Sequence, residues 1–409
     1  MIGFFQSSEF QENSPVVSSI PKCGACGLFQ SGCTSPKMPV TGEGRLGILI
    51  VGDFPDKIDD QKNTQFVGLA GRFLRQKLYD IGIDLDRDCW KTNSLICRTK
   101  NGKSPTNSEI DFCRPNLKNT IDKLKPRLIM PLGATAIRSV LGPYWHEDIG
   151  AITKWTGWKI PSQWWNAWVC PNYHPGDVLA SDEWPNRQDS GNVLKVWFER
   201  ILAQSVALQG RPWGTVPNYA GDVRIAMNPD EAAGWIYQRL SNGGVFAFDY
   251  ETNMLKPDSS DAEIVSCSVC WNGKETIAYP WAGAAIRATG ELACSPHPKV
   301  AAHSKFEDRW TRRFFGHGVN NVIWDVVLDA HVLDNRDGIT SVKTQAFLRL
   351  GQLDWASKIK PFLIGDGGNE KNRIRECNLR ALLKYNGIDS LVEYLIAVDQ
   401  RKELKSLLN

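Results

Sequence analysis

The stretch Val245-Phe246-Ala247-Phe248-Asp249-Tyr250-Glu251-Thr252 determines how the C-terminal half of the chain folds. Its apolar run follows two glycines and is typical of a buried β-strand. Side chains alternate between the two faces of a strand, so Asp249 and Glu251 point the same way. Neighbouring like charges repel unless a cation lies between them, and carboxylate oxygens suit Mg²⁺ and Mn²⁺. A solvated strand edge is the alternative interpretation.

Two further acidic motifs follow. The stretch His303-Ser304-Lys305-Phe306-Glu307-Asp308 contains a second acidic pair. Tyr385 and Asp389 are four residues apart, which places both side chains on one face of a helix. Carboxylates clustered in this way are typical ligands of divalent metal ions.

The order and spacing of these motifs resemble the proofreading 3′–5′ exonuclease domain of DNA polymerase I-type enzymes. That family carries F-D-x-E-T, then N-x-K-[FY]-[DE], then Y-x-x-x-D. The resemblance covers residues 222–409 and includes a predicted helix from Ile323 to Leu333. It implies a ribonuclease H-like α/β exonuclease domain.

The resemblance also assigns roles to individual residues. Asp249, Glu251 and Asp389 would hold one Mg²⁺ or Mn²⁺, and Asp249 and Glu307 would hold or position a second. Tyr385 would orient the attacking water.

The second motif departs from the family pattern. Glu307 stands where Asp is common, and His303 stands where Asn is usual. Because Glu is one methylene longer, we expect a looser second metal. The neighbouring Asp308 is expected to face another direction.

Length and composition limit the possible classes of protein. A chain of 409 residues, 42% hydrophobic and 23% charged, is expected to form two or three globular domains. The net charge of +3 is too small to indicate nucleic-acid binding by itself, so any DNA surface must be local. We find no apolar run of about 20 residues and no signal peptide, and therefore expect an intracellular (cytoplasmic) protein without a membrane partner.

Cysteines mark the N-terminal half. The chain has 11 of them, which in a chain without a secretion signal suggests a reducing compartment and metal or cluster binding. Cys23 and Cys26 form a C-x-x-C pair, and Cys97 and Cys113 follow much later. Four such thiolates suit zinc or an iron–sulfur cluster equally, and spacing alone does not separate the two.

Alternating strands and helices follow the first cysteines. Predicted strands at 47–51, 90–95 and 128–133 are separated by helical segments, which favours a parallel α/β sheet with ligand-binding loops at the carboxyl ends of its strands. Residues 1–20 are polar and are predicted to form a mobile arm. The segment 209–221 is rich in Gly and Pro and is predicted to be a linker between domains 21–208 and 222–409.

The N-terminal half resembles the iron–sulfur (family 4) uracil-DNA glycosylases from about Cys23 to Leu179. That family shows G-E-x-P-G, P-F-V-G-x-A-G, T-N-x-x-x-C-R, P-T-x-x-E-I-x-x-C and H-P-S. The matching stretches begin at Gly52, Gln65, Thr92, Pro105 and His174. The resemblance implies that Cys23, Cys26, Cys97 and Cys113 bind a 4Fe–4S cluster, and it favours the cluster over zinc.

The resemblance further implies a pocket for a base flipped out of the duplex. Phe66 would stack on the uracil, Asn93 would hydrogen-bond its edge, and His174 would stabilise the charge on the leaving base. Asp53 falls where the family has its catalytic Glu. Taken separately, these residues also have ordinary structural interpretations, as a core phenylalanine, a strand-end cap and a loop histidine.

Departures in the pocket loops lead us to expect weak or absent uracil excision. Asp53 is shorter than Glu, and Phe54 replaces a small residue. Asp56 replaces Gly, Gln65 replaces the usual Pro, and Gly176 replaces Ser. A ring at position 54 could block the base, and a carboxylate at position 56 would repel a phosphate.

Six of the 16 tryptophans lie between Trp145 and Trp168. They suit either stacking on single-stranded bases or packing within the protein, and we favour packing.

We therefore predict a DNA-processing enzyme, a metal-dependent 3′–5′ exonuclease with an attached iron–sulfur glycosylase-like domain that binds DNA. The alternatives are an active uracil-DNA repair glycosylase with exonuclease activity and a non-catalytic replication accessory protein. No polymerase motif is present, so a partner DNA polymerase would be a separate protein.

Overall fold

The computed structural model describes residues 18–182, 193–365 and 367–408, so most of the predicted arm at 1–20 lies outside the described residues. The chain forms two compact units. The described residues up to 216, with 351–353, belong to the first, and residues 217–350 and 354–408 belong to the second.

The boundary falls inside the predicted linker. On one side of it, the Arg211 guanidinium donates hydrogen bonds to the carbonyls of Lys125 and Asn166, at 2.6 and 2.8 Å. On the other side, Tyr219 is buried in the core of the second unit. Each end of the linker therefore packs on the unit that it adjoins.

The first unit is a parallel α/β domain. Its strands are β1 (Ile48–Gly52), β2 (Cys89–Asn93), β3 (Leu128–Pro131), β4 (Ile160–Ser162) and β5 (Ala167–Val169). Its helices are α1 (Cys23–Cys26), α2 (Lys57–Lys62), α3 (Leu69–Tyr79), α4 (Asn107–Leu124), α5 (Ala134–Leu141), α6 (Pro175–Asp182) and α7 (Val193–Val206). Short 3-10 turns lie at Leu28–Gln30, Lys100–Gly102 and Ile152–Lys154. The strand order is β2-β1-β3-β5-β4, and only β4 is antiparallel to its neighbour among these strands.

Local sequence signals explain these elements. Helix α4 begins with a capping box, in which the Thr106 side chain accepts from the Glu109 amide and the Glu109 side chain reaches back to the Thr106 amide. Gly133 has a φ of 100°, a conformation that other residues rarely adopt, and it turns β3 into α5. The parallel strands bring the loops after β1, β2, β3 and β5 to one edge of the sheet.

The tryptophan-rich stretch packs within the first unit, as predicted. Trp155 is fully buried, and its indole N–H donates to the Ile149 carbonyl at 2.7 Å. Trp164 stacks on Tyr144 with ring centroids 4.4 Å apart, and the Lys154 ammonium lies 4.5 Å from the Trp145 ring centroid. These contacts make the aromatic cluster part of the domain core.

The second unit is a mixed α/β domain. Its strands are β6 (Val223–Ile225), β7 (Phe246–Thr252), β8 (Ile264–Trp271), β9 (Glu275–Pro280), β10 (Lys299–Ala301) and β11 (Val322–Asp325). Its helices are α8 (Pro229–Asn242), α9 (Gly283–Cys294), α10 (Ser304–Phe315), α11 (Val326–Leu333), α12 (Val342–Leu350), α13 (Lys360–Leu363) and α14 (Leu379–Leu408), with a 3-10 turn at Ile374–Glu376. The order β11-β10-β7-β8-β9-β6 is antiparallel from β7 to β9 and parallel elsewhere. The predicted α/β fold class is confirmed for both units.

Strand β7 lies near the centre of this sheet, and its two faces have different roles. Phe246, Phe248 and Tyr250 belong to the apolar core that includes residues of α8 and α9. The residues between them face the long helix α14, which packs across β7 and β8. The alternation in the sequence therefore places Asp249 and Glu251 under α14.

The helix predicted from Ile323 to Leu333 is wrong at its start. Residues 322–325 form strand β11, and α11 begins only at Val326. The Asp325 carboxylate accepts hydrogen bonds from the amides of Val327 and Leu328, at 3.1 and 3.3 Å. It therefore caps α11 and ends the strand. None of the described helices is both long and apolar enough to cross a membrane.

Candidate active sites

Three carboxylates converge between β7 and α14. Ligand oxygens of Asp249, Glu251 and Asp389 all lie within 4.8 Å of one another. Burial, followed by the nearby Asp389 charge, raises the pKa of Asp249 to about 8. Burial and the Asp249 charge raise the pKa of Glu251 well above its usual range. A cluster made only of oxygen donors, held this close and with Glu251 and Asp389 buried, suits a hard divalent cation.

Asn386 fixes the position of Asp249. Its side-chain amide donates to Asp249 Oδ2 at 2.6 Å and to the Asp249 carbonyl at 3.2 Å. The amide oxygen of Asn386 accepts in turn from the Ser266 hydroxyl at 3.1 Å, on β8. The residue is fully buried, so this network holds one oxygen of Asp249 and orients the other.

Lys343 and Trp355 hold Asp389 in the same way. The Lys343 ammonium forms an ion pair with Asp389 Oδ1, and the Trp355 indole N–H donates to the same oxygen at 3.0 Å. The ammonium also lies 3.9 Å from the centroid of the Trp355 ring and 4.7 Å from that of Tyr385. One side of the Asp389 carboxylate is thereby occupied, which leaves Oδ2 for another ligand.

Tyr385 keeps its proton in this environment. Burial, followed by the Asp389 charge, raises the pKa of the phenol well above its usual range. The spacing of four residues on α14 places Tyr385 and Asp389 on one face, as predicted. A neutral phenol beside the carboxylates can donate a hydrogen bond to a water molecule.

The two acids of the second motif, Glu307 and Asp308, face different surroundings, as expected. Glu307, in the first turn of α10, is 2% exposed, and its Oε2 accepts no hydrogen bond from any described residue. Burial and the Asp249 charge raise its pKa well above the usual range, so it lies near the triad. Asp308 instead accepts from Arg312 at 2.7 Å and from the Val319 amide at 2.9 Å. It therefore has a structural role outside the site.

The four predicted cluster cysteines line one apolar cavity in the first unit, together with Leu28, Phe29, Leu95, Ile96 and Phe112. The Lys37 amide donates to Cys97 Sγ at 3.3 Å, and the Asn116 side chain donates to Cys113 Sγ at 3.6 Å. Hydrogen bonds of this kind stabilise negative charge on sulfur.

Sulfur spacing distinguishes a single ion from a larger group. Sulfur atoms bound to one tetrahedral zinc at about 2.3 Å lie about 3.8 Å apart. Within the described ranges, the carboxylate triad is the one set with three ligand atoms within 4.8 Å of one another, so no three of the thiols approach that closely. The wider spacing and the apolar lining fit a cluster.

Cys33 lies beside this cavity but does not line it. Its thiol contacts the carbonyls of Leu28 and Arg98, at 3.2 and 3.3 Å. It is therefore held by the backbone.

A second cavity, of about 530 Å³, lies at the carboxyl edge of the first sheet and is lined by all four predicted pocket residues, Asp53, Phe66, Asn93 and His174. Gly52 allows the close approach of two of these, since a Cβ at this position would lie 2.4 Å from Asn93 Oδ1 and 2.9 Å from the Phe66 ring. The Asn93 side-chain nitrogen is buried without a hydrogen-bond partner among the described residues. His174 Nδ1 accepts from the Gly176 amide at 3.1 Å, which leaves the proton on Nε2. The cavity is thus lined by a buried Asn93 amide and by His174, whose Nε2 can donate to a ligand.

The Asp53 carboxylate has a structural hydrogen-bond partner. Its Oδ1 accepts from the Ala136 amide at 2.8 Å, at the start of α5, and burial raises its pKa to about 6. The remaining departures also have structural roles. The Asp56 carboxylate caps α2, and the fully buried Gln65 donates to the Pro39 carbonyl at 2.6 Å. Phe54 lines the cavity on one side and packs against the cysteine cluster on the other.

Sequence reasoning missed several of these residues. Lys343 reaches the site from α12 and Trp355 from the loop after it, and no local spacing marks either residue. Asn386 lies inside the Y-x-x-x-D motif. Glu393 follows Asp389 by four residues, the same helical spacing as Tyr385 and Asp389, so this signal was available in the sequence.

Comparison with known proteins identifies the first unit. The family model described as the uracil DNA glycosylase superfamily matches residues 39–197. The type-4 uracil-DNA glycosylase of Sulfurisphaera tokodaii is 31% identical over 191 residues, which cover 46% of this chain and 81% of that protein. The chain belongs to the uracil-DNA glycosylase superfamily. Within this family, the similarity is to type-4 members.

Other similarities reach the second unit. A DNA polymerase of Bacillus phage SP01 is 24% identical over 336 residues, covering 74% of this chain but only 34% of that protein. Neither unit alone contains 74% of the chain, so that alignment includes parts of both. The structure of Escherichia coli RNase D, described as an exoribonuclease, covers 45% of each chain with a TM-score of 0.35 and 11% identity.

Proposed function

We propose that the protein is a metal-dependent 3′–5′ DNA exonuclease. Its glycosylase-like unit would hold an iron–sulfur cluster and bind DNA. The observation that carries the proposal is the convergence of Asp249, Glu251 and Asp389 within 4.8 Å, beside the protonated Tyr385. The similarity to the phage polymerase across both units supports a role in DNA processing.

Each side chain of the site has a defined task. Asp249, Glu251 and Asp389 would hold one divalent cation, and Asp249 and Glu307 would hold the second. When bound, the two ions supply the charge that stabilises the attacking and leaving oxygens and acidifies the water. The Tyr385 hydroxyl donates a hydrogen bond that orients this water toward the terminal phosphodiester. Asn386 and Trp355 keep two carboxylates in place before substrate arrives.

The Tyr385→Phe variant tests the role of the phenol. It removes the hydroxyl while the carboxylates stay, so we expect the rate of nucleotide release to fall by about 10- to 100-fold, with DNA affinity and Mn²⁺ affinity unchanged. Single-turnover digestion of a 3′-labelled strand measures this effect. Tyr394→Phe, on the same helix but with its ring packed beside Gly273, serves as the control. A Tyr385→Phe enzyme with the parent rate would remove Tyr385 from the mechanism.

We also propose that the unmodified first unit excises uracil poorly or not at all. The shorter carboxylate of Asp53 is bound to the start of α5, and the Phe54 ring lies at the cavity wall. In EDTA, which stops a metal-dependent exonuclease, a uracil-containing strand should therefore show no alkali-labile sites, although its electrophoretic mobility shift should still report binding.

The double substitution Asp53→Glu with Phe54→Gly should raise uracil excision in EDTA by about 10-fold or more, because it lengthens the acid and opens the wall. Since Phe54 also packs near the cysteines, iron content and melting temperature must be measured for the variant. Strong excision by the unmodified protein in EDTA would contradict the proposal and favour an active repair glycosylase.

A further inference from the structure

Glu393 is a fifth acid at the exonuclease site that the motifs do not include. It lies one helical turn after Asp389 on α14 and is 2% exposed. Its Oε2 accepts no hydrogen bond from any residue that the structure describes. A buried carboxylate oxygen without a partner is costly, so a residue kept in this state requires a ligand or a proton.

The surroundings of Glu393 are mostly negative. It lies close enough to Asp249, Glu307 and Asp389 for its charge to interact with each, and Lys343 is the cation that acts on it. The Lys343 ammonium is already paired with Asp389. Glu307 likewise has a buried Oε2 without a partner among the described residues. Glu307 and Glu393 thus each contribute a buried carboxylate oxygen that no described residue pairs.

Charge balance shows what this arrangement can hold. When ionised, the five carboxylates of Asp249, Glu251, Glu307, Asp389 and Glu393 carry five negative charges, and Lys343 offsets one of them. The remaining four negative charges equal the charge of two divalent cations. Without Glu393, two such cations would leave the buried site with an excess positive charge before any phosphate arrives.

We propose that Glu393 is a ligand of the second divalent cation, which it shares with Asp249 and Glu307. This inference rests on the proposed two-metal exonuclease. It also bears on the expectation that Asp249 and the longer Glu307 hold the second metal loosely, because an acid from α14 would add a further ligand. Mg²⁺ and Mn²⁺ both accept such oxygen ligands.

Metal binding by the full-length protein tests the proposal without an activity assay. The metal-free chain is titrated with Mn²⁺, and free Mn²⁺ is followed by electron paramagnetic resonance. The parent should bind two ions. Glu393→Gln should bind the first ion with unchanged affinity and the second about 10- to 100-fold more weakly. Glu403→Gln, on the same helix, is the control. It removes one of the two ion pairs of Arg349 and leaves the pair with Asp399, so this variant should bind metal as the parent does.

Melting temperatures in EDTA distinguish a metal ligand from a structural acid. Replacing one of several mutually repelling carboxylates should leave the melting temperature of metal-free Glu393→Gln equal to or above that of the parent, and Mn²⁺ should then raise it less. Glu393→Asp, which keeps the charge but shortens its reach, should bind the second ion with intermediate affinity and covers the case in which the Gln variant folds poorly.

Two results would overturn the inference, and they have different meanings. If Glu393→Gln and Glu393→Asp both bind two ions with the affinity of the parent, the role of Glu393 is wrong and the exonuclease proposal stands. If the parent itself binds fewer than two ions and digests no DNA, the proposed function fails as well.

Discussion

The Asp249→Ala protein should release nucleotides from a 3′ end at least about 1,000-fold more slowly than the parent, while binding DNA equally well. Asp249 belongs to the ligand set of both proposed metals, and its loss removes several kcal/mol of transition-state stabilisation. Its side chain is half-buried, and one oxygen is held by the Asn386 amide, so its proposed task is to bind the metals and not the DNA strand. Gel-based digestion and a binding titration in Ca²⁺ measure the two effects separately.

A surface acid provides the matched control for Asp249. Asp258 lies in the same unit, has a half-exposed side chain and pairs with Arg309. Because exposed ion pairs contribute little to stability, Asp258→Ala should keep full activity and the parent melting temperature. If Asp249→Ala digests DNA as fast as Asp258→Ala, the carboxylate cluster is not the catalytic site.

The Cys97→Ser protein should lose its iron–sulfur cluster and with it the stability of the first unit. The four cysteines lie in α1, in the loop after β2 and in α4, so a bound cluster ties distant segments together. The parent, purified without oxygen, should be brown and contain iron and sulfide in equal amounts. We expect Cys97→Ser to be colourless and to melt at least about 10 °C lower.

The Cys33→Ser variant is the matched control, because it changes a cysteine beside the cavity that is not a predicted cluster ligand. The Cys33 thiol lies beside the cavity and contacts two backbone carbonyls, which a serine hydroxyl would contact equally well. This variant should keep the colour, the iron and the melting temperature. Stoichiometric zinc without sulfide in the parent, or loss of iron in Cys33→Ser but not in Cys97→Ser, would refute the assigned ligand set.

Much of the carboxylate site in the second unit could be predicted because its residues follow local rules. The alternation along β7 places Asp249 and Glu251 on one face, and the spacing of four on α14 aligns Tyr385 with Asp389. The same reasoning extends to Glu393. Lys343 could not be found in this way, because it reaches Asp389 from 46 residues away through tertiary packing.

In the glycosylase-like unit, too, some site residues could be predicted from local motifs and others depend on tertiary packing. Ordered motifs placed Asn93 and His174 at the carboxyl edge of a parallel sheet, where the cavity lies. The binding of Asp53 to the start of α5 spans 83 residues and depends on how β1 and β3 pair, which no spacing in the sequence reveals. The sequence marked Asp53 and Phe54 as departures, and the structure shows that one binds the start of α5 and the other lines the cavity.

The most direct test of the central claim uses one DNA strand, labelled at its 5′ end and carrying a single internal uracil. The strand is incubated with the full-length protein in Mg²⁺ and, separately, in EDTA. We predict a ladder of products shortened from the 3′ end in Mg²⁺, and in EDTA an intact strand that stays intact after alkali. A strand that remains at full length in Mg²⁺ would contradict the proposed exonuclease.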